Sequence, residues 1–395
     1  MYDVLQRRQA ALGHSIAVKR KDWEHAKAAI SSLTFDQLAA AAKSIWETHT
    51  HNDPTIKLLE RLIQTVASQV PQSFARMRTN RSYMQALLVC YGMAAFWLTI
   101  NPADLRSVLV LKLAGVEVSC DDLSPEAQKI RQVTARMNPV AIAQFFHQIC
   151  TGIFKVLIAA GTNQTGIFGQ VSNYFGVVET NGRGMLHLHS LVWLAGNLEF
   201  RNLRARLQSD AVYAARMIQY LKSIIKCSVD LAVENLENLR SRLQPPSARE
   251  PETDSAFVHR LNCDSNAVAS KRQMHSKSHT RTCFKYAKRE SRECRFLFPR
   301  KLVAETHVDA HGVIQLERNN EWVTPWNPCL SSMLRSNHEI SFIPTVTKAL
   351  SAMYYMTNYA TKYDVSQYQL TTTVTLVKRA QEEAEKATDP SEKDL

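Results

Sequence analysis

The 395-residue chain carries 48 Lys and Arg against 36 Asp and Glu, a formal net charge of +12. At 45% apolar and 21% charged it has the make-up of a folded protein and not of a disordered chain, and 12 glycines with 13 prolines exclude collagen-like or linker-dominated sequence. The basic excess points to a polyanionic partner, nucleic acid before an anionic membrane. Eight cysteines are spread too thinly for a secreted disulfide scaffold. The stretch MYDVLQRRQAALGHSIAVKRKDWEH has no apolar core of the secretory kind, so an intracellular, soluble protein is expected.

In chain order, residues 1–85 predict a helical region, with apolar residues at helical spacing over Phe35–Thr48 and 56–70. The uncharged run 82–103 has an apolar core of about 15 residues, short of the roughly 20 that span a bilayer. It predicts a helix end followed by a strand that stops at Asn101-Pro102. Asn138-Pro139 opens a helix, with proline at a favoured first-turn position. Strands are expected around 176–179 and 185–194, joined by Thr-Asn-Gly-Arg-Gly as a hairpin. Helices follow over 200–243, and Pro245-Pro246 marks a boundary. A basic Cys/His segment covers 246–303, strands surround 313–316 and 340–343, and a helix runs over 344–364. The division expected is a helical region 1–85, a core in two parts (86–245 and 304–370) separated by the basic segment 246–303, and a charged tail 371–395.

Within Met185-Leu-His-Leu-His-Ser-Leu-Val-Trp-Leu194, His187 and His189 fall on one strand face, because side chains two apart point the same way. Two adjacent imidazoles make a natural metal pair. Glu179 on the preceding strand is a candidate third ligand, and hairpin register decides it. A two-residue Asn181-Gly182 turn puts its carboxylate on the core face, whereas a three- or five-residue loop puts it beside the histidines. The longer loop is preferred, since an unpaired buried carboxylate is costly. In Tyr354-Tyr-Met-Thr-Asn-Tyr-Ala-Thr-Lys-Tyr363, spacings of four and three set Tyr355, Tyr359 and Lys362 on one helical face. A phenol is a weak nucleophile that a metal-bound phosphate and a nearby cation would activate. Together the motifs supply the parts for strand transfer on DNA: a metal pair to polarise a phosphate, a tyrosine to attack it and a lysine to neutralise charge. An assembled site of this kind needs His187 within about 10 Å of a tyrosine hydroxyl.

At this point the chain resembles the N-terminal replication-initiator region of Helitron transposases, the Helitron helicase-like domain, one of the HUH endonucleases. The resemblance spans roughly 56–366. It rests on ordered landmarks: Leu98-Thr99-Ile100-Asn101-Pro102; Asn138-Pro139 with Phe145-Phe146; Glu179 ahead of Arg183-Gly184; and His187-Leu188-His189. Cys283, Cys294 to Arg300, Asn337-His338-Glu339-Ile340 and the tyrosine helix follow. It implies an α+β fold with an antiparallel sheet of ferredoxin-like or RNA-recognition-motif type packed by helices, the 99–101 strand lying beside the histidine strand. It implies Mg²⁺ or Mn²⁺ at His187 and His189, Tyr355 and Tyr359 as nucleophiles, and a 5′-phosphotyrosine intermediate on single-stranded DNA at transposon ends. The chain departs from the family in having Glu179-Thr180-Asn181 before the turn, Glu339 where aspartate is commoner, and a third tyrosine, Tyr363. No glycine precedes a lysine, so the phosphate loop of the family's helicase half is missing. The readings of this are a truncated or domesticated copy, one part of a larger gene product, or a module that works with a separate helicase; a nuclear location is expected from the DNA substrate alone, and the rival functional reading is a DNA-binding remnant that no longer cleaves.

His275, His279, Cys283 and Cys294 offer four ligands of the types that suit tetrahedral Zn²⁺, with Cys263 as a competitor. Cations crowd the same segment among Phe284, Tyr286, Phe296 and Phe298, the mix that meets phosphates and stacks bases. Asn101, Arg183, Lys285, Arg292, Arg295 and Arg300 are the candidate DNA contacts.

Overall fold

The computed structural model describes residues 2–360 apart from 49, 71–72, 118–121, 123, 181–184, 243–244, 248–250 and 285–292. Two compact units divide it: one holds residues up to Leu87 with the described residues from Thr357, the other is Leu88–Met356. The fold is α+β.

The first unit is helical. Trp23–Ser31, Phe35–Thr48 and Pro54–Ala67 follow the opening helix Tyr2–Val18. The expected helix at 56–70 starts and stops earlier, because Asp53 caps it, accepting from the Thr55 and Ile56 amides at 2.8 and 3.0 Å, with Pro54 at its first turn. Leu33, Leu38, Ala41 and Ile56 form one apolar cluster; Ala17, Ala26 and Leu62 form another.

The second unit is built on a four-stranded antiparallel sheet. Its strands are β1 (Phe96–Ile100), β2 (Val171–Thr180), β3 (Leu186–Leu194) and, after a two-residue ladder of β4 (His307–Val308) with β5 (Ile314–Gln315), β6 (His338–Phe342). The order is β2-β3-β1-β6. β1 alternates: Phe96, Leu98 and Ile100 are fully buried on one face, and Trp97 and Thr99 point to the other. The core face packs Leu188, Val192, Ile340 and Phe342 against Phe146, Ile153, Phe154, Leu221, Ile224 and Leu330 of the covering helices. The stretch Pro139–Leu157 is long and apolar enough to cross a membrane by composition. Here Phe145, Phe146, Ile153 and Phe154 are buried within the protein's own core.

One local expectation needs correction. The helical reading of 200–243 breaks between Ile224 and Leu236. There Lys226 pairs with Trp326, Val229 with the Asn319 side chain, and the Trp326 indole donates to the Ser228 carbonyl, so tertiary partners satisfy that backbone instead of a helix. The segment 246–303 contains a 19-residue helix, Asp254–Arg272, capped by Thr253. Asp264 on this helix is buried against Arg335 at 2.8 Å and accepts from Ser332 at 2.7 Å, which ties the helix to Pro328–Leu334.

Candidate functional site

The polar face of the sheet carries the histidines. Strand pairing sets Thr99 opposite both His189 and Glu339, and Glu179 opposite His187. Thr180 pairs with Leu186, so five residues connect the two strands, the longer-loop outcome that puts Glu179 on the histidine face. Glu179 Oε1 lies 2.5 Å from His187 Nε2 and 3.0 Å from His189 Nε2. The three side chains are only 14%, 15% and 12% exposed for His187, Glu179 and His189, so bulk water barely competes for them.

Two residues that the motif reading gave no role hold His189 in place. The Trp97 indole donates to Thr99 Oγ1 at 3.0 Å, and Thr99 Oγ1 is 2.9 Å from His189 Nδ1. With Nδ1 protonated and donating to that hydroxyl oxygen, Nε2 keeps its lone pair free to ligate. Burial pulls the His189 pKa down, against the opposing pull of Glu179, which favours the neutral ligand form. Burial raises the Glu179 carboxyl, but hydrogen bonds and charge interactions with His187 and then His189 outweigh it and hold its pKa below the usual carboxylate value. One carboxylate and two imidazoles, with ligand atoms all within 4.8 Å of one another, fit a single divalent cation.

The helix Val346–Ala360 lies over this face. The Tyr355 hydroxyl is 3.3 Å from Glu179 Oε1 and 3.3 Å from His189 Nε2, and its ring packs edge-on against Trp97 and His189. His187 and the Tyr355 hydroxyl therefore flank the same carboxylate oxygen, well inside the 10 Å limit set above. Tyr359 is on the last turn of the helix; its side chain, and Lys362 and Tyr363 altogether, lie outside the described residues. Among the described residues Lys348, two turns before Tyr355, brings a cation to this face. It lines an open cavity of about 280 Å³ with Trp97, Glu339, Ser341 and Tyr355. Burial lowers its pKa, and its ammonium donates to the Phe342 carbonyl at 2.6 Å. Seven-residue spacing on one helix face was the signal that could have found it.

A second cluster joins His275, His279, Cys283 and Cys294, with no part for Cys263, whose thiol instead lies 3.7 Å from His259. His275 Nε2 is 3.2 Å from His279 Nδ1, 3.5 Å from Cys283 Sγ and 3.6 Å from Cys294 Sγ. A tetrahedron with zinc–nitrogen and zinc–sulfur bonds of about 2.0 and 2.3 Å has edges of roughly 3.3 to 3.8 Å, so the cluster is close to zinc dimensions. Cys283 and Cys294 are 1% and 5% exposed. Burial raises the Cys283 thiol, but the Thr280 amide and then His279, the Thr280 hydroxyl and Cys294 bring it down to about 7, which eases formation of a thiolate ligand. His275 stacks on Phe298, Arg300 sits over the Phe298 ring, and Arg300 pairs with Glu339 at 3.8 Å in the cavity beside Tyr355. The cluster is thus linked to the surroundings of Tyr355 through side chains.

Of the candidate DNA contacts, Arg183, Lys285 and Arg292 lie outside the described residues, as does Tyr286. Arg295 covers the exposed Phe296 ring at 4.5 Å. Arg300 is engaged with Phe298 and Glu339, and the Asn101 amide donates to Asn337 Oδ1 at 3.0 Å, joining the end of β1 to the start of β6.

No curated protein and no solved structure gives a significant match to the chain. A protein-family model does: residues 1–192 match the Helitron helicase-like domain at N-terminus, a stretch that contains Glu179, His187 and His189 and stops short of Tyr355. Over those 192 of its 395 residues the chain is thus similar to the Helitron helicase-like domain, in agreement with the ordered motifs that fall within that stretch.

Proposed function

We propose that this chain is a metal-dependent DNA nicking and joining domain of HUH type, acting on single-stranded DNA at transposon ends. One observation carries the reading: the Tyr355 hydroxyl sits 3.3 Å from both Glu179 Oε1 and His189 Nε2, at the centre of the only Glu–His–His cluster among the described residues. The antiparallel sheet with the histidine strand inside it supports the same reading.

A divalent cation bound by Glu179, His187 and His189 would supply a Lewis acid for the scissile phosphate. Two imidazoles suit Mn²⁺ better than Mg²⁺, which prefers an all-oxygen shell. Thr99 and Trp97 orient His189. Tyr355 Oη attacks phosphorus and its proton passes to a neighbouring acceptor. The P–O3′ bond breaks and the departing 3′ oxygen takes a proton from solvent, leaving a 5′-phosphotyrosine and a free 3′-OH. Lys348, and Lys362 by its sequence spacing of three from Tyr359, offset the charge on the phosphate. Tyr359, one turn on, is the second nucleophile for alternate cleavage and joining. His275, His279, Cys283 and Cys294 would hold Zn²⁺ in a structural role, since four protein ligands would leave it no open position for chemistry. These 395 residues carry no Gly-Lys phosphate loop, so unwinding would be supplied by a further segment or a separate helicase, and a DNA substrate favours a nuclear location.

The test is a covalent-adduct assay: labelled single-stranded DNA with Mn²⁺ or Mg²⁺, resolved on a denaturing gel. A protein–DNA band that disappears in His187→Ala and in the Tyr355→Phe/Tyr359→Phe double variant establishes the nuclease. No band across several end sequences, with the fold intact and DNA still bound, moves the assignment to a binding domain without cleavage.

A further inference from the structure

Away from the tyrosine helix, four separate pieces of chain bring cations to one place. Arg106 ends a short 3₁₀ turn, Arg131 is in the helix Pro125–Met137, Arg240 and Arg242 are at the end of Leu236–Ser241, and Lys271 and Arg272 end the helix Asp254–Arg272. All six line a cavity of about 320 Å³, and the remaining lining residues are uncharged. That volume is at the lower end of the roughly 300–1,000 Å³ usual for ligand sites.

The site is built and not a loose surface patch. Arg131 is 2% exposed and anchored by donating to the Asp122 carbonyl at 2.9 Å. Arg240 donates to Ser270 Oγ at 3.0 Å and pairs with Glu237. The buried Arg335 donates to the Leu239 and Arg242 carbonyls at 2.9 and 2.8 Å, which holds that strap against the rest of the fold. The side chains of Arg106, Arg242, Lys271 and Arg272 have no ion-pair or hydrogen-bond partner among the described residues. Burial pushes the Arg272 guanidinium down to about 10, and the Arg106 and Arg335 charges add to the effect. Gathering like charges around one cavity with so few of them neutralised is unfavourable unless an anion fills it.

We propose that this cavity binds phosphate groups of the DNA strand, as a second anchoring site apart from the Glu179–His187–His189–Tyr355 cluster. The proposal rests on the DNA reading above but not on cleavage. Arginine suits it, because its planar fork matches phosphate oxygens two at a time. The cavity also has a route to the polar sheet face. The Arg272 carbonyl accepts from the Asn337 amide at 3.0 Å, and Asn337 in turn accepts from Asn101 at the end of β1. A strand held at the arginines and passing over this asparagine pair reaches the strand that carries Thr99 and Trp97.

The test is equilibrium binding of a labelled single-stranded oligonucleotide of about 30 bases, without divalent metal, across a range of salt. Arg242→Gln/Arg272→Gln and, separately, the exposed Arg106→Gln are compared with wild type and with Lys21→Gln/Lys27→Gln, a charge-matched control elsewhere. The double variant should bind at least about fivefold more weakly near 0.1 M salt, and its log–log salt slope should flatten by about 1.4, or 0.7 for each phosphate no longer neutralised. Arg106→Gln should flatten it by about half as much. An unchanged slope in folded variants, or an equal change in the lysine control, overturns the proposal. So does inorganic pyrophosphate binding that needs these arginines while the DNA slope stays the same, since the ligand is then a free phosphate compound. Because no cleavage is measured, loss of the adduct band above leaves this result standing, and the reverse holds too.

Discussion

Thr99→Val takes one oxygen from the middle of β1 and little else. Valine keeps the shape and the β-branching of threonine, so the strand and its pairing to β3 and β6 should survive. The oxygen removed is the shared partner of the Trp97 indole at 3.0 Å and His189 Nδ1 at 2.9 Å, at a residue 8% exposed. Valine leaves both donors without that partner. The fold should lose about 1–3 kcal/mol for a buried unsatisfied group. The imidazole also gives up the hydrogen bond that sets its tautomer and ring angle. Removing a partner that orients a metal ligand weakens metal binding about 10- to 100-fold, or about 1.4–2.7 kcal/mol. Calorimetric titration with Mn²⁺ measures the effect directly, with Thr99→Ser, which keeps the oxygen, as the restoring control. Mn²⁺ affinity within twofold of wild type in a folded Thr99→Val protein would refute the positioning role.

Two further outcomes follow from the same geometry. Elemental analysis should find one zinc per chain, retained in His187→Ala and lost in Cys283→Ser, with chelation lowering the unfolding temperature; absence of zinc together with indifference to chelator would end the structural-zinc assignment. His338 is fully buried, accepts from the Asn327 amide at Nε2 and is held down to about 4 by burial, against an ordinary 6.5. The folded state keeps it neutral while the unfolded state takes a proton, so stability should be full above about pH 6.5 and fall by about 3 kcal/mol as pH drops to about 4. Denaturant titrations at pH 7 and 4.5 should show a smaller loss for His338→Gln than for wild type, and an equal loss would show that another group sets the acid limit.

Some of this site was legible in the sequence because its signals are local. Alternation alone puts His187 and His189 on one strand face, and four-residue spacing puts Tyr355 and Tyr359 on one helix face. The ligand types at 275, 279, 283 and 294 likewise stand within one short segment. Hairpin register is different: the same sequence allows Glu179 on either face until the loop length is known, and the five-residue connection is a property of the folded pair.

What only the tertiary structure decided involves residues far apart in the chain. The Tyr355 hydroxyl and His189 are 166 positions apart, and a core that stacks the tyrosine helix on the polar face of the sheet brings them to 3.3 Å. Thr99 acquires a role because β1 lies beside β3, which sets it opposite His189 and brings its hydroxyl to 2.9 Å from Nδ1. Arg106, Arg131 and Arg242 stand in no sequence pattern that singles them out, and Arg272 counts there only among the cations of the Cys/His segment. Packing of four elements places them around one cavity, and no local pattern encodes it, because the Coulomb energy that makes the cluster informative depends on through-space distance and not on spacing along the chain.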